Sequence, residues 1–515
     1  MLVFETLLAI LLGATILSGF AKRLNIPYPT LLAAGGALLA LVPGAPQLNL
    51  PPQLILALFV APVLLDAAYD ASLRDLRRNW APISSLVLVA VGLTTAAVAI
   101  AARQLLPDMP WGAAVALGAL VAPPDAVAAL AVLRQLNPPY RIRMILEGES
   151  LLNDASALLI YRLAIGAVAA GGFSAAQAAP AFALVFVGSV LAGWLLARPV
   201  AMATQRIQDA PSSVIFQFVT TFSVWLLAER LGLSGVVTIV VFGLSVARRN
   251  IAPMPARLRI PSFAIWETVT AVLNILAFTL IGLQLRPILE ALSPAERTQY
   301  FGAALLILAV VIAVRLLWVL THHGVAALAH RLIPPPASPP AMEPPTLKDA
   351  LAVGWSGMRG IVTLAAALAL PDGFPYRSFI LLTAFVVVLG TLVLQGLTLR
   401  PLLLLLRLPK DTVVERELSL ARKMALKASL SELENDGSPA AERLRAQYAD
   451  AIGRARQGDD PRDTQDNLLR RKVVAAARTA LDDLRSSGAI GDDAYRRAEE
   501  ELDWVELSAR STDAP

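Results

Sequence analysis

The run Glu149-Ser150-Leu151-Leu152-Asn153-Asp154 begins an otherwise apolar stretch that extends to residue 171. Two acids, a hydroxyl and an amide therefore lie within six residues of a segment that is long enough to cross a bilayer. Ionisable groups inside a membrane are costly, so they usually face a cavity or a partner and mark the path of an ion or a proton. The rest of the chain indicates which kind of path this is.

The composition is that of a membrane protein with many spans. Of the 515 residues, 56% are hydrophobic and 16% are charged, whereas a soluble domain carries about 25% charged residues. The chain has no cysteine, which excludes disulfides and thiolate metal sites, and three histidines leave little room for a histidine-rich metal centre. We expect no cofactor and no nucleic-acid partner.

Thirteen apolar segments approach the length of about 20 residues that a bilayer requires. The first segment lacks a basic start and a small-residue cleavage site, so we interpret it as a retained span rather than a signal peptide. The predicted spans are 2–21, 28–43, 51–69, 84–105, 111–134, 145–171, 178–203, 213–231, 234–248, 265–285, 302–326, 349–370 and 378–405.

Basic residues alternate between the connections that join these spans. Every second connection is rich in Lys and Arg, with sixteen such residues in total, and the intervening connections hold five. Basic loops remain in the cytoplasm, so we expect the N-terminus outside, the C-terminal tail inside, and a multi-pass protein of a bacterial inner membrane.

The charge divides the chain into two segments. Residues 1–409 carry a net charge of +9 and are predicted to be a transmembrane domain, whereas residues 410–515 carry −4 and are predicted to be a cytoplasmic helical tail. Helical stretches are expected in the tail at 415–433, 473–485 and 492–509. The proline-rich run 332–345 is expected to be an extended linker.

Two pairs of polar residues recur at helical spacing. Ser150 and Asp154 are four residues apart, as are Glu149 and Asn153, so each pair shares a helix face and the two faces adjoin. A hydroxyl beside a carboxylate supplies the oxygen ligands that a hard cation prefers. Burial favours the protonated form of a carboxyl, so Asp154 is suited to hold a proton as well. A group that binds either ion is the minimum for an exchanger; an acid paired only for structure is the alternative.

The sequence Ala122-Pro123-Pro124-Asp125-Ala126 interrupts the predicted span 111–134. Proline removes a backbone donor and clashes with the preceding turn, and broken helices inside a membrane are tolerated where they line a cavity. Asp125 lies at the break, where it either ligates an ion or neutralises the N-terminus of a half-helix. We favour the second role because Asp154 is better placed as the carrier.

A second interruption is predicted at Gly354-Trp355-Ser356-Gly357-Met358-Arg359-Gly360, within span 349–370. Its three glycines weaken the helix. The buried Arg359 needs a counter-charge, for which Glu149 is the expected partner; snorkelling to the interface is the alternative. Interrupted helices in both halves of a chain indicate an inverted-repeat transporter whose site lies near the midplane.

Other polar residues within the predicted spans are less specific. Asp66, near the end of span 51–69, is either a second carboxylate of the site or an interfacial acid close to a basic loop. We assign four further residues to packing or to a dimer contact rather than to ion binding: Glu267, Asn274, Arg315 and Arg162.

These motifs carry a family resemblance. The run LEGESLLNDASALLIYR, residues 146–162, resembles the signature of the sodium/proton exchanger family, the monovalent cation–proton antiporters of the bacterial NhaP and animal exchanger kind. The resemblance extends in order through VAPPDAVAALAVL, the Leu-Asp-Ala-Ala-Tyr stretch at Asp66, LSGVVTIVVFGL and GWSGMRGIVTLAAALAL. Together these motifs cover most of residues 50–405.

The resemblance implies a role for each matching residue. Asp154 would be the cation- and proton-binding carboxylate, with Ser150 and Asp66 as further ligands of the Na⁺ site. Asn153 would be the neutral partner found in electroneutral exchangers, and Glu149 and Arg359 would form a structural ion pair. Many relatives have Thr-Asp-Pro where this chain has Pro124-Asp125-Ala126, so no threonine ligand is expected here, and the Pro124 carbonyl is a candidate ligand.

The sequence therefore predicts an all-α polytopic membrane protein with about thirteen transmembrane helices, inverted repeats, two interrupted crossing helices and a helical tail. The expected function is antiport of Na⁺, or of Li⁺ or K⁺, against H⁺, one for one, by a homodimer. A K⁺/H⁺ antiporter and a passive cation channel are the alternatives. A multispanning enzyme is disfavoured because the three histidines, at positions 322, 323 and 330, lie in one segment.

Overall fold

The computed structural model describes residues 2–44, 51–136, 138–170, 175–249, 255–332, 346–409, 413–457 and 465–509. These residues form helices and no strand, which confirms the all-α class. The chain divides into two compact units, Met1–Lys410 and Asp411–Pro515. The predicted linker at 332–345 lies almost wholly outside the described residues.

The first unit contains helices α1 to α17. Their bounds are α1 Leu2–Leu24, α2 Tyr28–Ala40, α3 Gln53–Asp70, α4 Leu73–Arg78, α5 Trp80–Leu105, α6 Trp111–Val121, α7 Ala126–Leu136, α8 Tyr140–Ala169, α9 Ala175–Thr204, α10 Ala210–Arg230, α11 Gly235–Arg249, α12 Ala256–Leu283, α13 Leu285–Glu290, α14 Pro294–Leu332, α15 Leu347–Trp355, α16 Ile361–Leu368 and α17 Arg377–Leu406.

Within the described residues, nine helical segments are long and apolar enough to cross a membrane, and α2 and α11 are shorter apolar helices. Large apolar side chains cover much of the outer surface, including Leu184, which is 75% exposed, and Leu12, which is 65% exposed. Such a surface suits hydrocarbon, where a helix satisfies its own backbone hydrogen bonds. The first unit is therefore a multi-pass membrane protein, and the count of thirteen spans remains a prediction.

Helix α6 lies in the middle of the unit, packed between α5 and α8. Its small residues allow close approach: a Cβ on Gly118 would collide with the Thr95 backbone of α5. Helix α17 is similarly enclosed and contributes an almost fully buried row that includes Phe379 and Leu392. The interrupted segments that adjoin α6 and α17 are therefore held away from the outer surface.

The two predicted interruptions are present. The first lies between Val121 and Ala126, where the proline pair separates α6 from α7, and the second lies between Trp355 and Ile361, where the glycines separate α15 from α16. Two further irregularities were not predicted, because nothing in their composition marks them: π-helical stretches occupy Leu56–Val60 in α3 and Ser85–Ala90 in α5.

The second unit contains α18 Val413–Glu432, α19 Pro439–Gln457, α20 Gln465–Ser486 and α21 Asp492–Ala509. The α20–α21 pair is held by an apolar face and by Arg478, which forms ion pairs with Asp503 and Glu506. Helix α19, which begins at Pro439, was not predicted from the sequence. Proline is a breaker inside a helix but is favoured in the first turn, so the same residue marks a start here.

Candidate functional site

The first interruption places Asp125 at the N-terminus of α7. Pro123 and Pro124 have no amide hydrogen, so Asp125 is the first residue after them that can donate, and its amide bonds Met358 O at 2.6 Å. Its Oδ1 accepts from the amide of Val127 at 2.9 Å. Asp125 therefore caps α7 with its side chain and joins the two interruptions with its backbone.

The second interruption places Gly360 against the same carboxylate. Gly360 precedes the first residue of α16, and a Cβ there would overlap the side chain of Asp125. Asp125 therefore lies between the N-termini of two half-helices, α7 and α16. Helix N-termini carry partial positive charge, so one buried carboxylate compensates both.

Arg359 occupies the opposite position, at two half-helix C-termini. Its side chain is 1% exposed and donates to Val121 O at 3.1 Å, to Ala122 O at 3.4 Å and to Gly357 O. Val121 ends α6, and Gly357 follows the end of α15. The guanidinium thus satisfies carbonyls that the interruptions leave without helical donors and offsets the partial negative charge of both ends.

The predicted pairing of Glu149 with Arg359 is wrong in this structure, because Glu149 pairs with Arg315 of α14. The two side chains form a bidentate contact of 2.5 and 2.9 Å, and both are almost fully buried. Arg315 also donates to Val353 O and Gly354 O at 3.2 Å. The donors of Arg359 go to carbonyls at the crossing, so the carboxylate takes the other buried guanidinium. Arg315 was interpreted as a packing residue, although the need for a counter-charge applied equally to it.

Two residues of α8 attach this helix to the first interruption. Ser150 Oγ accepts from the amide of Ala126 at 3.3 Å, and Asn153 Nδ2 donates to Pro124 O at 2.7 Å. Asn153 is completely buried, and its Oδ1 has no hydrogen-bond partner among the described residues.

Helix α8 begins at Tyr140, earlier than predicted, so Glu149 lies about 14 Å along it at 1.5 Å per residue.

Asp154 lies one helical turn beyond Ser150 and differs from its neighbours in having no partner. Within the part of the chain that the structure describes, its half-buried carboxylate makes no hydrogen bond and no ion pair. The carboxylate that acts on it electrostatically is that of Asp125. Because Asp125, Ser150 and the Asn153 amide nitrogen are engaged by the crossing, Asp154 is the free acid of the cluster.

Among the described residues, no hydrogen bond or ion pair joins Asp66 of α3 to this cluster, and its role as a ligand stays a prediction. The charges that act on Asp66, which lies in α3, are those of Asp70, Arg134 and Glu267, and Asp154 is not among them. No group of three or more acids and histidines suited to a metal occurs in the described residues. The predicted ligands Ser150 and Asp154 lie one turn apart on α8.

Arg162 of α8, farther along the helix than Asp154, forms an ion pair with Glu229. Arg162 Nη2 contacts the two carboxylate oxygens at 2.7 and 2.9 Å, and Glu229 also accepts from the amide of Gly235 at 3.1 Å. This pair ties α8 to α10 and to the start of α11, which agrees with the packing role predicted for Arg162.

Comparison with known proteins gives a consistent set of relatives. The family described as "Sodium/hydrogen exchanger, transmembrane" matches residues 7–405. The chain is 32% identical over 417 residues to the sodium, potassium, lithium and rubidium/H⁺ antiporter of Bacillus pumilus, a match covering 77% of this chain and 60% of that protein's length. It is 30% identical to the low-affinity Na⁺/H⁺ antiporter NhaS1 of Synechocystis, over 80% of this chain and 76% of that protein.

Among solved structures, the sodium proton antiporter MjNhaP1 from Methanocaldococcus jannaschii is similar, with a TM-score of 0.60 and 18% sequence identity. The match covers 79% of this chain and 99% of that one. At this identity the likeness concerns the fold alone.

Proposed function

Because the chain belongs to the sodium/hydrogen exchanger family, we propose that it exchanges a monovalent cation, Na⁺ foremost, for H⁺ across a membrane. The observation that carries this proposal is the free carboxylate of Asp154 next to the crossing of two interrupted helices. The charged side chains of Asp125 and Arg359 compensate helix ends, whereas the carboxylate of Asp154 is available to a mobile ion.

The proposed mechanism is competition between two ions for Asp154. A bare carboxylate in a poorly hydrated site is unfavourable, so the group holds either a proton or a cation. On one side of the membrane the proton leaves and the cation binds; after the site reorients, the cation leaves and a proton returns. Reorientation of the empty, charged carboxylate is disfavoured, and this couples the two fluxes.

The oxygen atoms around Asp154 supply the proposed cation ligands. Ser150 Oγ lies one turn away on the same helix, the Pro124 carbonyl is joined to the neighbouring Asn153, and the unpaired Asn153 Oδ1 is a further acceptor. Hard cations prefer such oxygen ligands. Asp66 lies in α3, which packs against α8, and is proposed as a further ligand.

We propose that exchange is electroneutral, with one cation moved for each proton. Asp125 compensates two helix N-termini, and Asn153 is uncharged, so Asp154 is the single carboxylate that changes its occupant. Replacing H⁺ by Na⁺ on one carboxylate leaves the charge of the loaded site unchanged.

The proposed setting is the plasma membrane of a bacterium, with the N-terminus outside and the tail in the cytoplasm. Alternation of basic connections supports this orientation, and the two interrupted helices, one in each half of the chain, support an inverted-repeat transporter. The proposed assembly is a homodimer, in keeping with the resemblance to exchangers.

The experiment that tests this function uses the purified full chain in sealed proteoliposomes that contain a pH-sensitive dye. An imposed pH gradient should collapse on addition of Na⁺ and persist on addition of choline, a bulky organic cation. Parallel additions of Li⁺ and K⁺ decide which alkali cation is preferred and separate a K⁺/H⁺ antiporter from a Na⁺/H⁺ antiporter. Movement of cation without opposing proton flux would identify a passive channel and refute antiport.

A further inference from the structure

The π-helical stretch Ser85–Ala90 of α5 lies beside the helix that carries Asp154. At its end the amide of Val91 donates to Leu88 O, whereas a regular α-helix would direct that amide to Val87 O. The Val87 carbonyl accepts from Ser156 Oγ of α8 at 2.8 Å. Single π-helical turns are rare and occur often at functional sites, and this one presents a backbone acceptor to a neighbouring helix.

Ser156 follows Asp154 by two residues. Its hydroxyl oxygen lies 2.8 Å from Val87 O and also 2.8 Å from Asn153 O, the carbonyl that immediately precedes Asp154. The hydroxyl therefore lies between α5 and the turn of α8 that holds Asp154. Asn153 anchors the same turn to Pro124 O on another side, so these two contacts together limit how this turn shifts.

The beginning of the π-helical stretch is fixed by α14. Trp318 Nε1 donates to Ser85 Oγ at 3.1 Å, and His322 Nδ1 lies 3.2 Å from the same oxygen. Helix α14 also carries Arg315, which binds Glu149 of α8. Three helices thus form a closed frame: α14 holds α8 through Glu149, α14 holds α5 through Ser85, and α5 holds α8 through Ser156.

We propose that Ser156 is a positioning residue for Asp154 and that the π-helical stretch of α5 is the strut through which it acts. The inference rests on the proposed function, because it concerns the geometry of the same carboxylate. A hydroxyl that fixes the turn keeps Asp154 at the distance from Ser150 and Pro124 that a bound cation requires. Loss of the hydroxyl lets the turn relax, while the ion pair between Glu149 and Arg315 stays in place.

The test compares Ser156→Ala with Ser156→Thr in proteoliposomes at fixed pH. Removing the hydroxyl should raise the KM for Na⁺ roughly three- to tenfold, the range expected for loss of one hydrogen bond, with a smaller change in kcat. Threonine retains a hydroxyl at the same position, so it should restore the KM to within about twofold of the wild type. An unchanged KM in Ser156→Ala, with normal folding, would overturn the proposal.

Thr95→Val is the matched control. Thr95 also lies in α5, but its hydroxyl bonds Val91 O within its own helix, so its removal should leave the KM for Na⁺ unchanged. A rise in KM in Thr95→Val equal to that in Ser156→Ala would mean that any lost hydroxyl on these helices has the effect, and the positioning role would be rejected.

Ser85→Ala provides a second and independent arm, which also serves if Ser156→Ala does not fold. It should raise the KM for Na⁺ in the same direction, and the double variant should be no worse than about the larger single effect, because both residues act through one strut. Fully additive effects would contradict the shared strut. Failure of the wild type to exchange Na⁺ for H⁺ refutes the proposed function instead, so the two failures are distinguishable.

Discussion

The amide nitrogen of Asp125 lies 2.6 Å from the carbonyl oxygen of Met358 and joins the two interrupted helices where both lose regular backbone bonding. The carboxylate of the same residue bonds the Val127 amide and lies against Gly360. A single residue therefore holds the crossing through its backbone and compensates two helix N-termini through its charge.

The first prediction concerns the close contact between Gly360 and Asp125. Gly360→Ala places a methyl group on the carboxylate, which forces the crossing apart and should cost about 1–3 kcal/mol, as overpacking generally does. We expect a lower melting temperature in detergent and at least about a tenfold loss of exchange. The control is Gly166→Ala in α8, where a Cβ meets open space. Wild-type exchange in Gly360→Ala would refute the contact.

The second prediction concerns the buried pair of Glu149 and Arg315. Because removing one partner leaves the other charge buried and uncompensated, Arg315→Gln and Glu149→Gln should each lower the free energy of unfolding by about 3–5 kcal/mol. The double variant should be less destabilised than the two losses combined. The exposed pair of Arg162 and Glu229 gives the control, since Arg162→Gln should cost at most about 1 kcal/mol.

Two double-mutant cycles decide whether Arg315 or Arg359 is the partner of Glu149. A double-mutant cycle between Glu149 and Arg315, read from thermal melting, should show coupling. The matched cycle between Glu149 and Arg359 should show a smaller coupling, because Arg359 donates to backbone carbonyls. A larger coupling of Glu149 with Arg359 than with Arg315 would instead support the pair that was predicted from the sequence.

The third prediction concerns pH and Asp75, which lies in α4 outside the membrane-spanning segments. Burial opposes its ionisation, but hydrogen bonds from Ser72 and Tyr140 and the charge of Arg74 hold the pKa of Asp75 below its ordinary value. The folded state therefore favours the charged form. This stabilisation is present above the unfolded pKa of about 4 and is lost as the pH falls through the folded pKa.

Melting curves of wild type and Asp75→Asn between pH 3 and 7 test this sign. The wild type should be the more stable protein by a constant margin above about pH 5, and the margin should shrink as the pH falls. Asp372→Asn is the control, because Asp372 is fully exposed and lies 3.9 Å from its nearest cation, Arg377. A margin that grows on acidification would show that the neutral form of Asp75 is the one favoured by folding.

The sequence predicted the parts of the site that depend on local backbone chemistry. Pro123-Pro124 cannot continue a helix and the glycines at 354, 357 and 360 weaken one, so both interruptions follow from composition. The spacing of Ser150 and Asp154 predicts one shared helix face, and both residues lie in the continuous helix α8. These inferences use only neighbours within a few residues, where backbone geometry is fixed.

The remaining parts depend on which helices meet in space. Glu149 and Arg315 are 166 positions apart, and nothing local distinguishes Arg315 from Arg359 as its partner. The position of Asp66 relative to Asp154 likewise depends on how α3 packs against α8. The π-helical stretch at Ser85 has an ordinary apolar composition, and the bonds that accompany it come from α8 and α14.

The fourth prediction concerns charge stoichiometry and Asn153. Asn153→Asp adds a second titratable carboxyl next to Asp154 without a change in side-chain size. The new carboxyl can carry a second proton in each cycle, which the neutral amide cannot. Exchange should then respond to a membrane potential imposed with K⁺ and valinomycin, whereas wild-type exchange should not. Equal sensitivity of the two proteins to the potential would contradict the assignment of Asn153 as the neutral partner.

The central claim is that one carboxylate, Asp154, carries both ions, and the most direct measurement is Na⁺-driven collapse of a pH gradient by Asp154→Asn in proteoliposomes. Asparagine keeps the shape of the side chain, but it cannot take up a proton and release that proton when a cation binds. The variant should melt within a few degrees of the wild type, because the carboxylate it replaces has no partner among the described residues, and it should show no exchange above protein-free liposomes. Sustained Na⁺/H⁺ exchange by this variant would contradict the account.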